Sequence, residues 1–152
     1  GGFRFRPDWQ LFDARTNVDV DLNQVGYGVS QLLPIVEACM RSSDQLICIE
    51  QPELHLHPRL QSRLGGLFAV AALEGNQIIA ETHSENVLLR VRRLVRQRKL
   101  HRDDVAVLYV DNIEGHGAHV RRLRLGDRGQ LLDPWPTGFF DDRLADVLGV
   151  AE

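Results

Sequence analysis

The chain has 152 residues, 43% of them hydrophobic and 26% charged, the composition of one ordinary soluble domain that can bury roughly 68–70% of its unfolded surface. A formal charge of -3 excludes a generally basic, nucleic-acid-coating protein, and no apolar run approaches the ~18 residues of a membrane span. The two cysteines, Cys39 and Cys48, lie in apolar stretches where a reduced thiol acts as a small hydrophobe, which points to a cytoplasmic protein.

Residues 1–24 are polar and irregular, with an alternating stretch from Thr16 to Leu22 that can form a strand. Pro34 suits the start of a helix, where backbone donors lack intrahelical partners. Leu46-Ile47-Cys48-Ile49 is a continuous apolar run ending in Glu50, as expected of a strand buried on both faces. Pro58 then opens a helical pattern in which Leu60, Leu64, Leu67, Phe68, Ala71 and Ala72 recur on one side up to Gly75. Gln77 to Ala80 reads as a second strand, and Val87, Leu88, Val91, Leu94 and Val95 mark the apolar stripe of a second helix. A third apolar run, Val105 to Val110, precedes a strand at Val120 to Leu125. Strands alternating with helices predict an α/β fold with a largely parallel sheet and flanking helices. Pro134, Pro136 and Gly138 break regular structure before a short helix ending near Leu148. The whole reads as one domain, with residues 126–152 as its tail.

In parallel sheets ligands sit beyond the carboxyl ends of the strands. Here one strand runs into Glu50-Gln51-Pro52-Glu53 and the next into Glu81-Thr82-His83-Ser84. Upstream, Gly26 and Gly28 permit close backbone approach and positive φ, and Ser30 with the helix that follows offers a hydroxyl and amides to an anion. Taken singly, each of these is also an ordinary loop, a glycine turn capped by Ser30 or a structural histidine.

Taken in order, they resemble the ATP-binding-cassette ATPases. Leu46 to Glu53 resembles the Walker B strand, Leu54-His55-Leu56-His57-Pro58 the D-loop, Val25 to Gln31 a divergent signature loop, and Glu81-Thr82-His83-Ser84 the switch-histidine loop. With Gly-x-Gly-x-Ser-Gln-x-Leu-Pro before the Glu-Gln-Pro-Glu-Leu-His-Leu-His-Pro run and Trp-Pro-x-Gly-Phe-Phe after it, the chain looks like a group of bacterial AAA-type ATPases similar to the overcoming-lysogenization-defect, RecF and SMC branch. The resemblance implies ATP and magnesium as cofactors. Glu50 would be the metal ligand; Gln51 or Glu53 would position the water and His83 would sense the γ-phosphate. Gly26, Gly28, Ser30, Gln31 and His57 would contact nucleotide held by another subunit. It further implies a homodimer that sandwiches ATP, in a DNA-linked or phage-defence process.

Two departures qualify these expectations. Gln51 stands where the family usually has the catalytic glutamate, and an amide cannot accept the water's proton; losing a general base costs roughly 10²–10⁴ in rate. An ATP-gated clamp with little turnover is therefore the rival to a hydrolase. The second departure is that no Gly-x-x-x-x-Gly-Lys-Ser/Thr is present, for the only lysine is Lys99, in an arginine-rich helix. The chain is thus expected to be a partial domain, the C-terminal half of a P-loop ATPase. Its phosphate cradle would come from an N-terminal Walker A lobe or a second subunit, and the chain would turn over no ATP alone.

The basic run that includes Arg90, Arg92, Arg93 and Arg96 reads as the solvated face of its helix, with nucleic acid or an acidic partner as the alternative. His55-x-His57 has spacing compatible with zinc but fits the D-loop equally well. Trp135, Phe139 and Phe140 read as a core plug rather than a base-stacking platform.

Overall fold

The computed structural model describes residues 10–14, 16–21, 26–41, 43–113 and 117–135. Val25, Pro136 to Phe140 and the expected helix near Leu148 lie outside the described residues. In chain order the elements are β1 (Gln10–Asp13), β2 (Val18–Asp21), α1 (Tyr27–Arg41), β3 (Leu46–Glu50), α2 (Pro58–Leu73), β4 (Gln77–Glu81), α3 (Glu85–Arg96), a 3-10 turn at Arg102–Asp104, β5 (Val107–Ile113) and β6 (Gly117–Leu123). The protein is a mixed α/β structure with a parallel strand pair and flanking helices, as the alternation of strand and helix patterns predicts.

The parallel pair is β3 with β4, joined through α2 and in register from Leu46↔Gln77 to Glu50↔Glu81. Its inward residues, Ile47, Ile49, Ile78 and Ala80, pack on a core made by Cys39 of α1, Leu64, Phe68 and Ala71 of α2, and Val87 of α3. Each large apolar side chain enclosed there contributes about 1.5–3 kcal/mol. Cys39 is buried and its thiol pKa is pushed up by desolvation, in keeping with a small hydrophobe. A second cluster of Ala69, Leu94, Val95 and Leu100 seals the far end of the α2–α3 contact.

Three expectations are corrected. Leu46 to Ile49 is buried on one face only. Leu46 and Ile79 are 60% and 54% exposed on the outer face, beside Cys48, and among the described residues β3 pairs with β4 alone. The third apolar run forms β5, which pairs antiparallel with β6 from Val107↔Leu123 to Ile113↔Gly117 instead of joining the parallel pair. A short connection favours the hairpin, because antiparallel neighbours need no crossover. Finally, Pro34 lies inside α1, not at its start. An interior proline costs about 3 kcal/mol, but Leu32, Ile35 and Cys39 on either side of it pack into the core and offset that cost.

Candidate functional site

The carboxyl ends of β3 and β4 gather most of the residues singled out above. Glu50 and Glu81 close the two strands as register partners, and both are exposed. After Glu50 the chain turns sharply. Gln51 adopts φ 43 while its N–H donates to the Glu81 carbonyl at 2.9 Å, so the ladder is extended by one bond as the loop departs. His55 is also left-handed, at φ 59. Side chains other than glycine enter this region at a cost of roughly 1–2 kcal/mol each, and two such residues within five positions mark a loop whose shape is imposed by its surroundings. Pro52 is fully buried beneath it, and turn bonds from Leu54 N–H to the Gln51 carbonyl and from Leu56 N–H to the Glu53 carbonyl hold its curvature.

Glu53 is the pivot of this arrangement. It is only 7% exposed, and its Oε1 accepts the His83 backbone N–H at 2.6 Å, which ties the segment after β3 to the segment after β4. Its second oxygen, Oε2, is buried with no hydrogen-bond donor. His83 itself stands at the surface, held by that backbone bond.

A second tie was not legible in the sequence. Gln61, on α2, accepts at Oε1 from Ser84 Oγ at 2.9 Å and from Asn86 Nδ2 at 3.1 Å, and its Nε2 donates to the Leu56 carbonyl at 3.0 Å. One amide thus fastens the loop before α2 to the first turn of α3, where Ser84 is also the N-cap, accepting from Val87 N–H at 3.4 Å. In the sequence Gln61 is merely a polar residue between Leu60 and Leu64 on an amphipathic helix, a position that carries no signal of its own.

The start of α1 abuts the same loop. Gly28 faces the His55 carbonyl so closely that a Cβ would lie 2.7 Å from its oxygen and 3.1 Å from Leu56 Cδ2, while the Tyr27 ring meets the His55 imidazole edge-on at 5.1 Å. Close approach at Gly28 therefore holds, but positive φ does not: neither Gly26 nor Gly28 adopts it. Gly26 is open, with nothing within 4 Å of a Cβ, and its carbonyl accepts from Val29 N–H. Ser30 lies within the first turn of the helix instead of capping it, and its hydroxyl donates to the Tyr27 carbonyl at 2.9 Å. The Gln31 side-chain oxygen is buried without a donor. His57 is the N-cap of α2, its Nδ1 accepting from Arg59 N–H at 3.2 Å, which gives the second histidine of the His-x-His pair a structural task.

The basic face of α3 is divided rather than continuous. Arg92 Nε donates to the Gly129 carbonyl at 2.8 Å and Arg96 Nε to the Arg128 carbonyl at 3.2 Å, so both brace the turn that follows β6. Burial, and then the charge of Arg96, lower the Arg92 pKa. Arg90 instead reaches over α2, and Arg93 lies further along α3, beside Leu89 and Gln97. Trp135 is half-buried, whereas Phe139 and Phe140 lie outside the described residues. No helix among the described residues is long and apolar enough to cross a membrane.

Comparison with known proteins is consistent with this geometry. No curated protein matches the chain. Residues 100–148 match a family described as a protein of unknown function (DUF3696), which takes in β5, β6 and the tail beyond them. The profile of the AAA ATPase domain family matches residues 4–88, and so spans β1 to the first turn of α3, including every loop gathered at the strand ends. With more than half of its 152 residues matched, the chain belongs to the AAA ATPase domain family, an assignment that carries ATP binding with it.

Proposed function

We propose that the chain supplies the signature, Walker B, D-loop and switch-histidine elements of an ATP-hydrolysing unit whose P-loop comes from another segment or subunit. The observation that supports this most is the Glu53–His83 tie, which joins the loops that must act on the same phosphate. Gly28 against His55 brings the signature helix to the same place. ATP would be held between a P-loop and the Gly26 to Gln31 segment of a partner copy, in a homodimer serving a DNA-linked or phage-defence process. The open outer face of β3 and β4, and the edge of β3 that pairs with no strand among the described residues, would receive the P-loop-bearing segment, because an uncovered apolar strand edge recruits a further chain.

Magnesium fits the residues present. Glu50 ends β3 on the exposed side with Glu81 as its register partner, and the ion takes one or two carboxylates while keeping several waters. When bound it would neutralise charge on the phosphates. The remaining tasks fall to the chain's own side chains. Gln51 can orient a water but cannot take its proton. Glu53 can take it through Oε2, the buried oxygen that lacks a donor, while Oε1 stays with the His83 amide. His83 and His57 would face the γ-phosphate side, and Gln31 and Ser30 would contact nucleotide from the signature helix. The rival reading, a nucleotide-gated clamp with little turnover, draws support from the same two facts: an amide at position 51 and a glutamate committed to holding a loop.

The test is magnesium-dependent ATP turnover. The chain alone is expected to show none above background, and robust hydrolysis by it would overturn the half-site reading. In a complete P-loop-containing protein, Glu53→Gln keeps an oxygen for the His83 amide but removes the base, and should reduce turnover roughly 10²–10⁴-fold. Gln51→Glu should raise it. If both variants turn over ATP like the parent, neither side chain handles the water. Dimer closure on nucleotide without turnover would favour the clamp.

A further inference from the structure

We propose that the cavity between the N-terminal halves of α2 and α3, which adjoins the loops at the strand ends through Pro58 and Asn86, is a phosphate-binding site in its own right. The cavity has a volume of about 500 Å³ and is lined by Pro58, Arg59, Ser62, Arg63, Asn86 and Arg90. Three guanidinium groups border it and no carboxylate does. Arg59 and Arg63 stand one helical turn apart on α2, and Arg90 crosses to them from α3.

The crossing is built into the backbone by two consecutive glycines. A Cβ on Gly65 would lie 2.6 Å from the Val87 carbonyl oxygen and 3.0 Å from Arg90 Cβ, so only glycine allows α3 this close. A Cβ on Gly66 would be 3.6 Å from Arg90 Nε and 3.7 Å from Nη2, which puts the guanidinium directly over that glycine. Arg90 therefore lies across α2 at the edge of the cavity, its Nε packed against Gly66, out of solvent and without an acceptor. Asn86 is fixed beside it by donating to Gln61.

Other arginines among the described residues are committed elsewhere, and those that are not, Arg93, Arg98 and Arg122 included, lie outside this cavity. Arg41 pairs with Glu37, Arg102 with Asp103 and Asp127, and Arg124 with Asp133, while Arg92 and Arg96 donate to turn carbonyls. Among the described residues, no carboxylate pairs with the guanidinium of Arg59, Arg63 or Arg90. Guanidinium forks match the oxygens of phosphate bidentately, Ser62 and Asn86 add neutral donors, and the N-terminal end of α2 contributes its positive dipole end. No aromatic side chain lines the cavity, so it offers no platform on which a base could stack. The ligand is therefore a phosphate group as such, carried on a nucleic-acid backbone or on a free polyphosphate.

The test titrates the full chain with two probes, a short duplex DNA and inorganic tripolyphosphate, by fluorescence anisotropy and calorimetry. At least one probe is expected to bind saturably, and Arg63→Glu and Arg90→Gln are each expected to weaken it about tenfold or more. Arg122→Glu on β6, outside the cavity, should leave binding unchanged. Ser62→Glu places a carboxylate in the wall without touching the α2–α3 crossing, so it should also weaken binding even if Arg90→Gln disturbs folding. DNA binding whose salt slope falls by about one for the Arg63 variant assigns the site to a nucleic-acid backbone. Tripolyphosphate binding without DNA affinity assigns it to a free anion. Saturation by neither probe, or parental affinity in the folded Arg63 and Ser62 variants, would overturn the proposal.

Discussion

Replacing Gly28 by alanine pits helix propensity against packing at the junction of α1 and the loop after β3. In an unobstructed helix the change from glycine to alanine gains up to about 1 kcal/mol. Here the new methyl would sit 2.7 Å from the His55 carbonyl oxygen and 3.1 Å from Leu56 Cδ2. The first neighbour is backbone in a left-handed residue between two turn bonds, and so cannot yield as a flexible side chain would. Overpacking of this kind costs roughly 1–3 kcal/mol. Packing should win, leaving a net loss of up to about 2 kcal/mol, which for a chain of this size lowers Tm by up to roughly 8 °C. Gly26→Ala is the internal control, since nothing lies within 4 Å of its Cβ, and it should change stability by no more than about 0.5 kcal/mol. Calorimetric melting of both variants, with amide exchange at Leu56 and His83 for the first, reads the difference directly. If Gly28→Ala melts above the parent temperature, the contact between α1 and the His55 loop does not exist and the reasoning fails.

Gly129 has φ 65, and a Cβ there would collide with the Arg92 carbonyl oxygen. Gly129→Ala should therefore cost at least about 2 kcal/mol, from the left-handed backbone and the displaced Arg92–Gly129 hydrogen bond; a parental melting curve would show that the turn does not rest on α3. Gln61→Leu removes the acceptor of Ser84 and Asn86 and a donor to Leu56, for a loss of about 1–3 kcal/mol. Exchange of the amides from 82 to 87 should speed up more than that of the core of α2, and uniform exchange rates would refute the fastening role. Asp133 is held to a pKa of about 2 by the Arg124 side chain and backbone N–H, well below the ordinary 3.8. A depressed carboxyl stabilises the fold above its unfolded pKa, so this contribution should be complete at pH 5 and fade as the pH falls from about 4 through about 2. An NMR titration of the Asp133 carboxyl with a midpoint near 4 would contradict the pairing.

Elements whose burial is local can be read directly from the residues. The stripe of Leu64, Phe68 and Ala71 on α2 and that of Val87, Leu94 and Val95 on α3 are readable because one helix face repeats every three to four residues, and both stripes are buried in the fold. The position of Glu50, Gln51, Glu53 and His83 at strand ends follows from the short apolar runs that precede them, Leu46 to Ile49 and Gln77 to Ala80. Tertiary structure alone decided who meets whom. The apolar run of β3 has the same composition whether one face is covered or both, and the structure leaves Leu46 and Ile79 on an open side. Strand β5 could have extended the parallel pair, but its short connection to β6 favoured a hairpin. Pro34 opposes a helix locally and was overruled by the packing of the residues around it. Gln61, and the division of the arginines between a turn and a cavity, depend on groups more than twenty residues away in the chain. Periodicity records whether a residue faces the interior, whereas hydrogen-bond partners and close approaches are set by distances between segments that no local pattern encodes.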